Sequence, residues 1–468
     1  MTDPVATFTE EIVFKDEAPG GFDRYARAQA VITNALIARL PRLGFGAAPI
    51  GNLYQPVSDA QAGAAVAAAL DAGVTYFDTA PHYGFGLSEQ RLGQALSRLD
   101  PKAEALVSTK VGRLLRPVDP AAAGDVRHGF AQAAPFEPEF DYSYDAILRS
   151  VEDSRRRLGR ERIDILLVHD LGRLTHGEAH RQRFDAFMNG GYRALRELRD
   201  AGVVGAVGLG VNECGVAEEA LEAGAFDLIL LAGRYTLLEQ GALDSLLPLC
   251  AARGVGLVAG GPFNSGVLAR GAGEAGPSRY DYEAAPPEVL QRVARLEAVC
   301  ARFDTPLAAA ALQFPLGHPQ VASVIPGLAS AAQVATARRL LDLVLPEALW
   351  DALRDEGLLR ADAPVPGRAP GPLVLLSDAD NVLVCAGPVR AGDRLTIDGV
   401  VVIAPEDAPM GHKLARRDLA PGERVLKYGA PIGAMTAPAA RGALVHSHNL
   451  RSNYIPAEGG EDFEGGNG

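Results

Sequence analysis

The chain has 468 residues, 48% hydrophobic and 22% charged, which is a globular composition and more chain than one ordinary domain holds. Its net charge of −13, from 58 acidic and 45 basic residues, leaves no basic stripe for nucleic acid. No apolar run reaches the ~20 residues of a membrane span, and MTDPVATFTEEIVFKDE lacks the apolar stretch of a signal peptide; the dispersed Cys214, Cys250, Cys300 and Cys385 read as free thiols, so the cytoplasm is the expected compartment.

Residues 1–40 read as an irregular acidic lead-in, in which VITNALIARL fits a short helix or a strand. From Leu43 the pattern becomes regular. Short apolar runs at 43–50, 74–78, 105–110, 163–170, 203–210, 227–233, 255–261 and 321–327 alternate with periodic segments, several ending at Gly. Near-continuous apolar strands alternating with helices imply a parallel sheet covered by helices. Eight such units predict an α/β fold of the (β/α)8 TIM-barrel type over residues 41–360. An open dinucleotide-binding sheet is the competing architecture, but LGFGAAPIG is not followed directly by a helix, so the G-x-G-x-x-G fingerprint is absent.

Residues 112–143 and 262–286 interrupt the alternation after strands three and seven, which assigns both to the C-terminal face, where substrate loops belong. A Pro/Ala/Gly linker is expected over 361–372. Short Val/Leu runs spaced by DG, PG and GAP turns then predict a small β-rich domain over 373–456. The acidic, Gly-rich stretch 457–468 reads as a disordered tail.

Asp78 ends the second apolar run, Tyr83 follows in its loop, Lys110 ends the third, and His169 ends strand four within the fourth, LLVHD. Singly, each has an ordinary explanation: a turn cap, a loop aromatic, a strand-end charge, a satisfied histidine. Together, at three consecutive strand ends, they form an acid/base set. A tyrosine titrates near ~10, and a nearby ammonium favours its phenolate. The aspartate would orient the lysine, and the histidine would hydrogen-bond a substrate oxygen.

The segments LGFGAAPIGNLY, GVTYFDTAPHYGFGLSEQRLGQAL, VSTKVGRLL and RIDILLVHD resemble the aldo-keto reductase family. Within it they resemble the aldose 1-dehydrogenase branch that includes L-fucose and D-threo-aldose dehydrogenases and pyridoxal 4-dehydrogenase. The resemblance implies hydride exchange with a nicotinamide. It makes Tyr83 the general acid/base, supported by Lys110 and Asp78, with His169 orienting the substrate. It assigns cofactor contacts to Asn212, Gly261, Pro262, Phe263, Asn264, Gly266, Gly327, Ser330 and Gln333. Ala232 and Gly260 stand where the family carries a glutamine and a stacking aromatic, which implies a more open nicotinamide pocket.

Ala329 and Gln333 occupy places where the family sets basic residues on a 2′-phosphate, which favours NAD, with NADP as the alternative. The same segment also fits a plain surface helix capped by Ser330. Tyr54 and His128 are the substrate candidates, and Phe136 and Tyr144 belong to the same loop region. The implied substrate is a small sugar, oxidised at its C1 hemiacetal to a lactone.

DNV (380–382), GHK (411–413), KYG (427–429), IG (432–433) and VHSHN (445–449) resemble the SAF-type β domain of altronate and galactarate dehydratases. That resemblance implies a dehydratase small-subunit module with a large-subunit partner. His446 and His448, read as alternating on one strand, are candidate metal ligands as well as a structural polar patch. Two other functions fit the barrel. One is a pyridoxal or other hemiacetal dehydrogenase. The other is a nicotinamide-sensing module regulating the attached domain, which need not keep Asp78, Tyr83, Lys110 and His169 intact.

Overall fold

The computed structural model describes residues 32–119, 125–271, 279–281, 283–366, 373–377, 379–385, 389–398, 400–409 and 411–452. The expected lead-in up to residue 31 and the expected tail lie outside them. The chain divides into two compact units, Met1–Leu343 and Val344–Gly468.

In the first unit eight strands pair in parallel and in chain order: β1 (Phe45–Gly46), β2 (Tyr76–Asp78), β3 (Leu106–Val111), β4 (Ile165–His169), β5 (Ala206–Val211), β6 (Leu228–Ala232), β7 (Gly256–Gly260) and β8 (Val321–Ile325). Parallel bridges Leu43–Val324 and Gly46–Gly327 join β8 back to β1 and close the barrel. Six of the strands fall inside the apolar runs, and β3 and β5 each extend one residue past theirs. Strands buried on both faces carry continuous apolar sequence, and β4 and β5 are buried at every residue.

The eight expected helices form outside the strands. Ser58 caps Asp59–Asp71 in a reciprocal capping box with Gln61. Ser143 caps Tyr144–Leu158, which ends on a left-handed Gly159 after three arginines. Glu89 ties the helix Leu87–Leu99 to its neighbours, accepting from Thr109 Oγ1 at 2.6 Å and Arg157 Nε at 2.5 Å.

The barrel interior is filled by Tyr76, Ile165, Leu167, Ala206, Leu228, Leu230, Val258 and Ile325. Leu36, Ile37 and Leu40 join the same core. They come from a one-turn helix, Ala35–Ala38, capped by the Asn34 side chain. The end of the expected lead-in is therefore a helical plug: Ile37 is fully buried, worth roughly 1.5–3 kcal/mol. The chain also forms helical turns after β4 that the periodicity did not single out, including a π-helical stretch Phe187–Gly191. A Cβ on Gly191 would stand 2.4 Å from the carbonyl oxygen of Tyr142, so glycine permits that close approach.

The insertion after β3 folds as two antiparallel ribbons, Arg113–Pro117 with Phe136–Phe140 and Val126–Arg127 with Phe130–Ala131. The insertion after β7 carries a shorter one, Arg279–Tyr280 with Glu283–Ala284.

In the second unit, Leu373–Val374, Val382–Cys385, Lys413–Ala415 and Leu444–Val445 make a four-stranded sheet whose three pairings are all antiparallel. Arg424–Lys427, Ala430–Met435 and Leu450–Ser452 make a second sheet. Alternation builds two cores. Leu383, Cys385 and Leu414 face one, while Val382 and Ala415 face the other. Ala363 and Val365, expected in a linker, are only 2% and 3% exposed. Residues 367–372 of that segment are outside the described chain.

Candidate active site

The four sequence-selected residues converge at the C-terminal ends of β2, β3 and β4. Lys110 Nζ donates to Asp78 Oδ2 at 2.8 Å and to the Thr79 carbonyl at 2.9 Å. Asp78 Oδ1 accepts from Ser108 Oγ at 2.7 Å, and Ser108 Oγ lies 3.0 Å from the Tyr76 hydroxyl. The pair is almost fully buried, so its charges are compensated by each other and by these hydrogen bonds. Lys110 Nζ sits 4.8 Å from the Tyr83 ring centroid. The Tyr83 and His169 rings meet edge to face with centroids 6.0 Å apart.

The electrostatics differ from the sequence expectation in one respect. Burial raises the Tyr83 phenol well above its ordinary range, Asp78 and Asp170 push the same way, and Arg113 opposes them. The ammonium therefore does not win: Lys110 is paired with Asp78, and desolvation dominates. Burial holds the His169 imidazole well below its usual range, with Arg113, Lys110 and His82 adding to the effect. A neutral imidazole beside a protonated phenol suits hydrogen-bond exchange with a substrate oxygen. His169 Nδ1 is buried and has no hydrogen-bond partner.

Several contributors were not selected from sequence. Asp170 pairs with Arg113, and its Oδ2 stands 3.4 Å from His169 Nε2. Tyr142 donates to the His169 carbonyl at 2.8 Å. His82 packs edge-on against Phe130 at 5.4 Å and lies 5.9 Å from His169. The cue lay in adjacency: Asp170 follows His169, Arg113 lies three residues after Lys110, and His82 precedes Tyr83.

His128 is at the rim, 5.8 Å from His82 and hydrogen-bonded to Glu137 at 2.8 Å. Tyr54 bridges two insertions: its N–H donates to the Gly129 carbonyl and the Arg279 guanidinium covers its ring at 4.6 Å. Phe136 lies on the ribbon, where its carbonyl accepts from Arg127. Tyr144 is corrected. It begins the outer helix, beneath Arg193 and bonded to Glu197, because Ser143 caps that helix and turns the chain outward.

The other half of the rim is built from small residues. β6 and β7 end at Ala232 and Gly260, with Asn212 just beyond β5. A Cβ on Gly261 would meet only the Gly233 nitrogen, at 3.7 Å, and one on Gly266 would meet nothing within 4 Å. Gly261, Asn264, Ser265 and Gly266 all have positive φ. Such a shelf of bare backbone fits a flat ring and a phosphate chain, so the residues present fit a dinucleotide. Pro262 and Phe263 are part of this turn.

Asn264 lies in the expected loop, with its amide already engaged by the protein. It is buried, accepts from Thr236 Oγ1 at 2.6 Å and donates to the Gly233 carbonyl at 3.0 Å, so its amide joins two loops. Gly327 packs under Pro49, which a Cβ would approach to 3.0 Å. Ser330 caps the helix Ala331–Asp342, accepting from the Gln333 N–H, and Gln333 Oε1 accepts from the Ala329 N–H at 2.7 Å.

Residues 42–355 match the aldo/keto reductase family model. The chain belongs to the aldo/keto reductase family. Pyridoxal 4-dehydrogenase of Microbacterium luteolum is 45% identical over 68% of the chain and 94% of its own length. D-threo-aldose 1-dehydrogenase of a Pseudomonas species is 41% identical over 68% and 95%. The holo form of an aldo-keto reductase from Bacillus halodurans matches with a TM-score of 0.53 at 26% identity, covering 70% of this chain and 94% of that one. This aldo/keto reductase is an oxidoreductase with a second module: residues 372–453 match the altronate/galactarate dehydratase SAF domain. Altronate dehydratase of Escherichia coli is 42% identical over 74 residues, which is 15% of that enzyme.

In the SAF domain the reading of His446 and His448 is corrected. The strand ends at Val445, and residues 446–449 form a turn, so the two imidazoles do not share a strand face. Asn449 fixes the turn by accepting from the His446 N–H and donating to the Leu444 carbonyl. Among the described residues no group of three His, Cys, Asp or Glu side chains is placed to hold a metal. No described helix is long and apolar enough to cross a membrane.

Proposed function

We propose that the barrel is a nicotinamide-dependent aldose 1-dehydrogenase that oxidises the C1 hemiacetal of a sugar of the L-fucose or D-threo-aldose type to its lactone. The observation that carries this reading is the convergence of Tyr83, Lys110, Asp78 and His169 at three adjacent strand ends. The dinucleotide, when bound, supplies the hydride acceptor. In oxidation Tyr83, as the phenolate, accepts the proton of the C1 hydroxyl as hydride leaves that carbon; in reduction the phenol donates it back. His169, neutral, orients the substrate oxygen. Lys110 and Asp78 hold a fixed dipole beneath the phenol.

The pocket supports a polyol. His82, Phe85 and Phe130 form an aromatic cluster beside the tetrad, and the pairs Arg113–Asp170 and His128–Glu137 add donors and acceptors around it. The absence of an arginine at Ala329 or Gln333 supports NAD over NADP. Formation of NADH and NADPH, measured separately over a panel of aldoses and pyridoxal, tests the assignment. Turnover on an aldose with NAD is expected, and Tyr83→Phe should lose about 10²-fold or more. Reduction with pyridoxal alone would move the assignment to that hemiacetal. A Tyr83→Phe protein with undiminished turnover would remove the catalytic reading and leave a nicotinamide-sensing module.

The SAF domain suggests a second step on the same carbon chain. Hydrolysis of a lactone gives a sugar acid, the substrate class of a sugar-acid dehydratase. In this reading the domain serves a separate dehydratase large subunit. Co-purification of such a subunit supports it, and full-length protein recovered without one speaks against it.

A further inference from the structure

The family-like motifs of the SAF domain separate physically into two sets. One set is consumed by the fold. Asp380 is buried and accepts from the N–H groups of Tyr428 and Gly429 at 2.9 and 2.8 Å. Asn381 accepts from Leu426 N–H and donates to the Arg424 carbonyl, both at 2.8 Å. Asn449 locks the turn after Val445. These residues shape two turns and have little left to offer a ligand.

The other set is basic, with a side-chain hydrogen bond joining His446 Nδ1 to Ser447 Oγ at 2.9 Å. The rings of His412 and His446 stack in parallel, 4.6 Å apart and 9° from coplanar. Lys413 follows His412 and pairs in register with Val445, the residue before His446. Lys413 and Lys427 feel each other's charge, and Lys427 Nζ lies 5.4 Å from the Tyr428 ring. His448 adds to the charge felt by His446. The ammonium of Lys413 is half-buried. His412 Nδ1 is buried with no partner. Among the described residues no carboxylate is hydrogen-bonded or ion-paired to any of these five side chains. A chain of net charge −13 thus gathers two ammonium groups and three imidazoles without a counter-charge. Half-buried ammonium groups that repel each other are stabilised by an anion brought between them.

We propose that His412, Lys413, Lys427 and His446 form a binding site for a small oxyanion, a carboxylate in the first instance. Two ammonium groups supply charge, and the stacked imidazoles supply directional N–H donors to a planar acceptor. A cation is disfavoured by the same inventory, which contains no acidic ligand. The choice of a polyhydroxy acid as the carboxylate rests on the reaction proposed for the barrel; the site itself does not.

Calorimetric titration of the full-length protein with sodium gluconate and with sodium phosphate, at matched ionic strength and without nicotinamide, tests this. Saturable binding of gluconate is expected, weakened about tenfold by Lys413→Gln and by Lys427→Gln, the effect of losing a charge-assisted contact. Lys413→Arg should retain binding. Lys427→Gln, at a strand end, carries the test should Lys413→Gln unfold. Equal binding of phosphate with the same losses supports a general oxyanion site. Binding of neither anion, binding unchanged in Lys427→Gln, or zinc uptake that depends on His412 and His446 and excludes gluconate would overturn it. Because turnover by the barrel is read separately, failure here and failure of the dehydrogenase assignment are distinguishable.

Discussion

Arg113 reaches from the ribbon after β3 to the carboxylate of Asp170, the residue after His169, and Asp170 Oδ2 lies 3.4 Å from His169 Nε2. The two charges act on Tyr83 in opposite directions: Asp170 raises its phenol and Arg113 lowers it. Both positions are therefore tuners of the acid/base group.

The pH profile of sugar oxidation should expose this. Tyr83 must lose its proton to act as base, so with a raised phenol the rate climbs as pH rises into the alkaline range. Arg113→Gln removes a lowering charge and should move that rise to higher pH. Asp170→Asn removes a raising charge and should move it lower. The measurement is kcat/KM against pH for the three proteins. Shifts in the same direction would show that the pair acts on Tyr83 by geometry alone.

The buried Lys110–Asp78 pair predicts non-additive stability. Lys110→Met leaves a buried carboxylate, and Asp78→Asn leaves a buried ammonium. Each should cost about 3–5 kcal/mol, while the double variant should recover most of the loss and remain inactive. Denaturant unfolding of the three variants measures the coupling. Simple additivity would mean that the two charges are independent.

The barrel was legible because its strands are buried on both faces, so most of the eight write a nearly continuous apolar run, interrupted in β3 by Ser108, Thr109 and Lys110. Asp78, Lys110 and His169 were legible because they stand at or next to the ends of those runs. Arg113 and Tyr142 were not, since one lies on a ribbon whose pairing is set by tertiary contact and the other just beyond it. Tyr144 was misplaced because spacing cannot say which side of the Ser143 cap faces inward. The plug at Leu36 and Ile37 was ambiguous for a similar reason: one helical turn is too short to show a period. His446 and His448 look like strand alternation in sequence, but Asn449 bends the chain one residue after Val445.

The capping arrangement at Gln333 bears on cofactor choice. Its side chain accepts from the Ala329 N–H, and its position is exposed at the start of the helix Ala331–Asp342. Gln333→Arg adds the missing cation there. It should raise kcat/KM with NADP by about tenfold, the scale of one charge-assisted contact, and leave NAD within a few-fold. Steady-state rates with both dinucleotides decide it. An equal change for the two would place the 2′ region elsewhere.

Asn264 separates a contact from a strut. If it touches the cofactor, Asn264→Ala should weaken dinucleotide binding while Thr236→Val, which removes only its partner Thr236 Oγ1, leaves binding intact. The geometry favours the other outcome. Both amide atoms of Asn264 are already engaged, one with Thr236 and one with the Gly233 carbonyl, and together they hold the loop after β7 against the loop after β6. Losing either partner frees that loop and leaves a buried polar group, at about 1–3 kcal/mol. Both variants should therefore weaken dinucleotide binding to a similar degree and lower the melting temperature together. Fluorescence titration with NAD alongside thermal unfolding reads both quantities. A normal melting temperature with lost binding, confined to Asn264→Ala, would restore the direct-contact role.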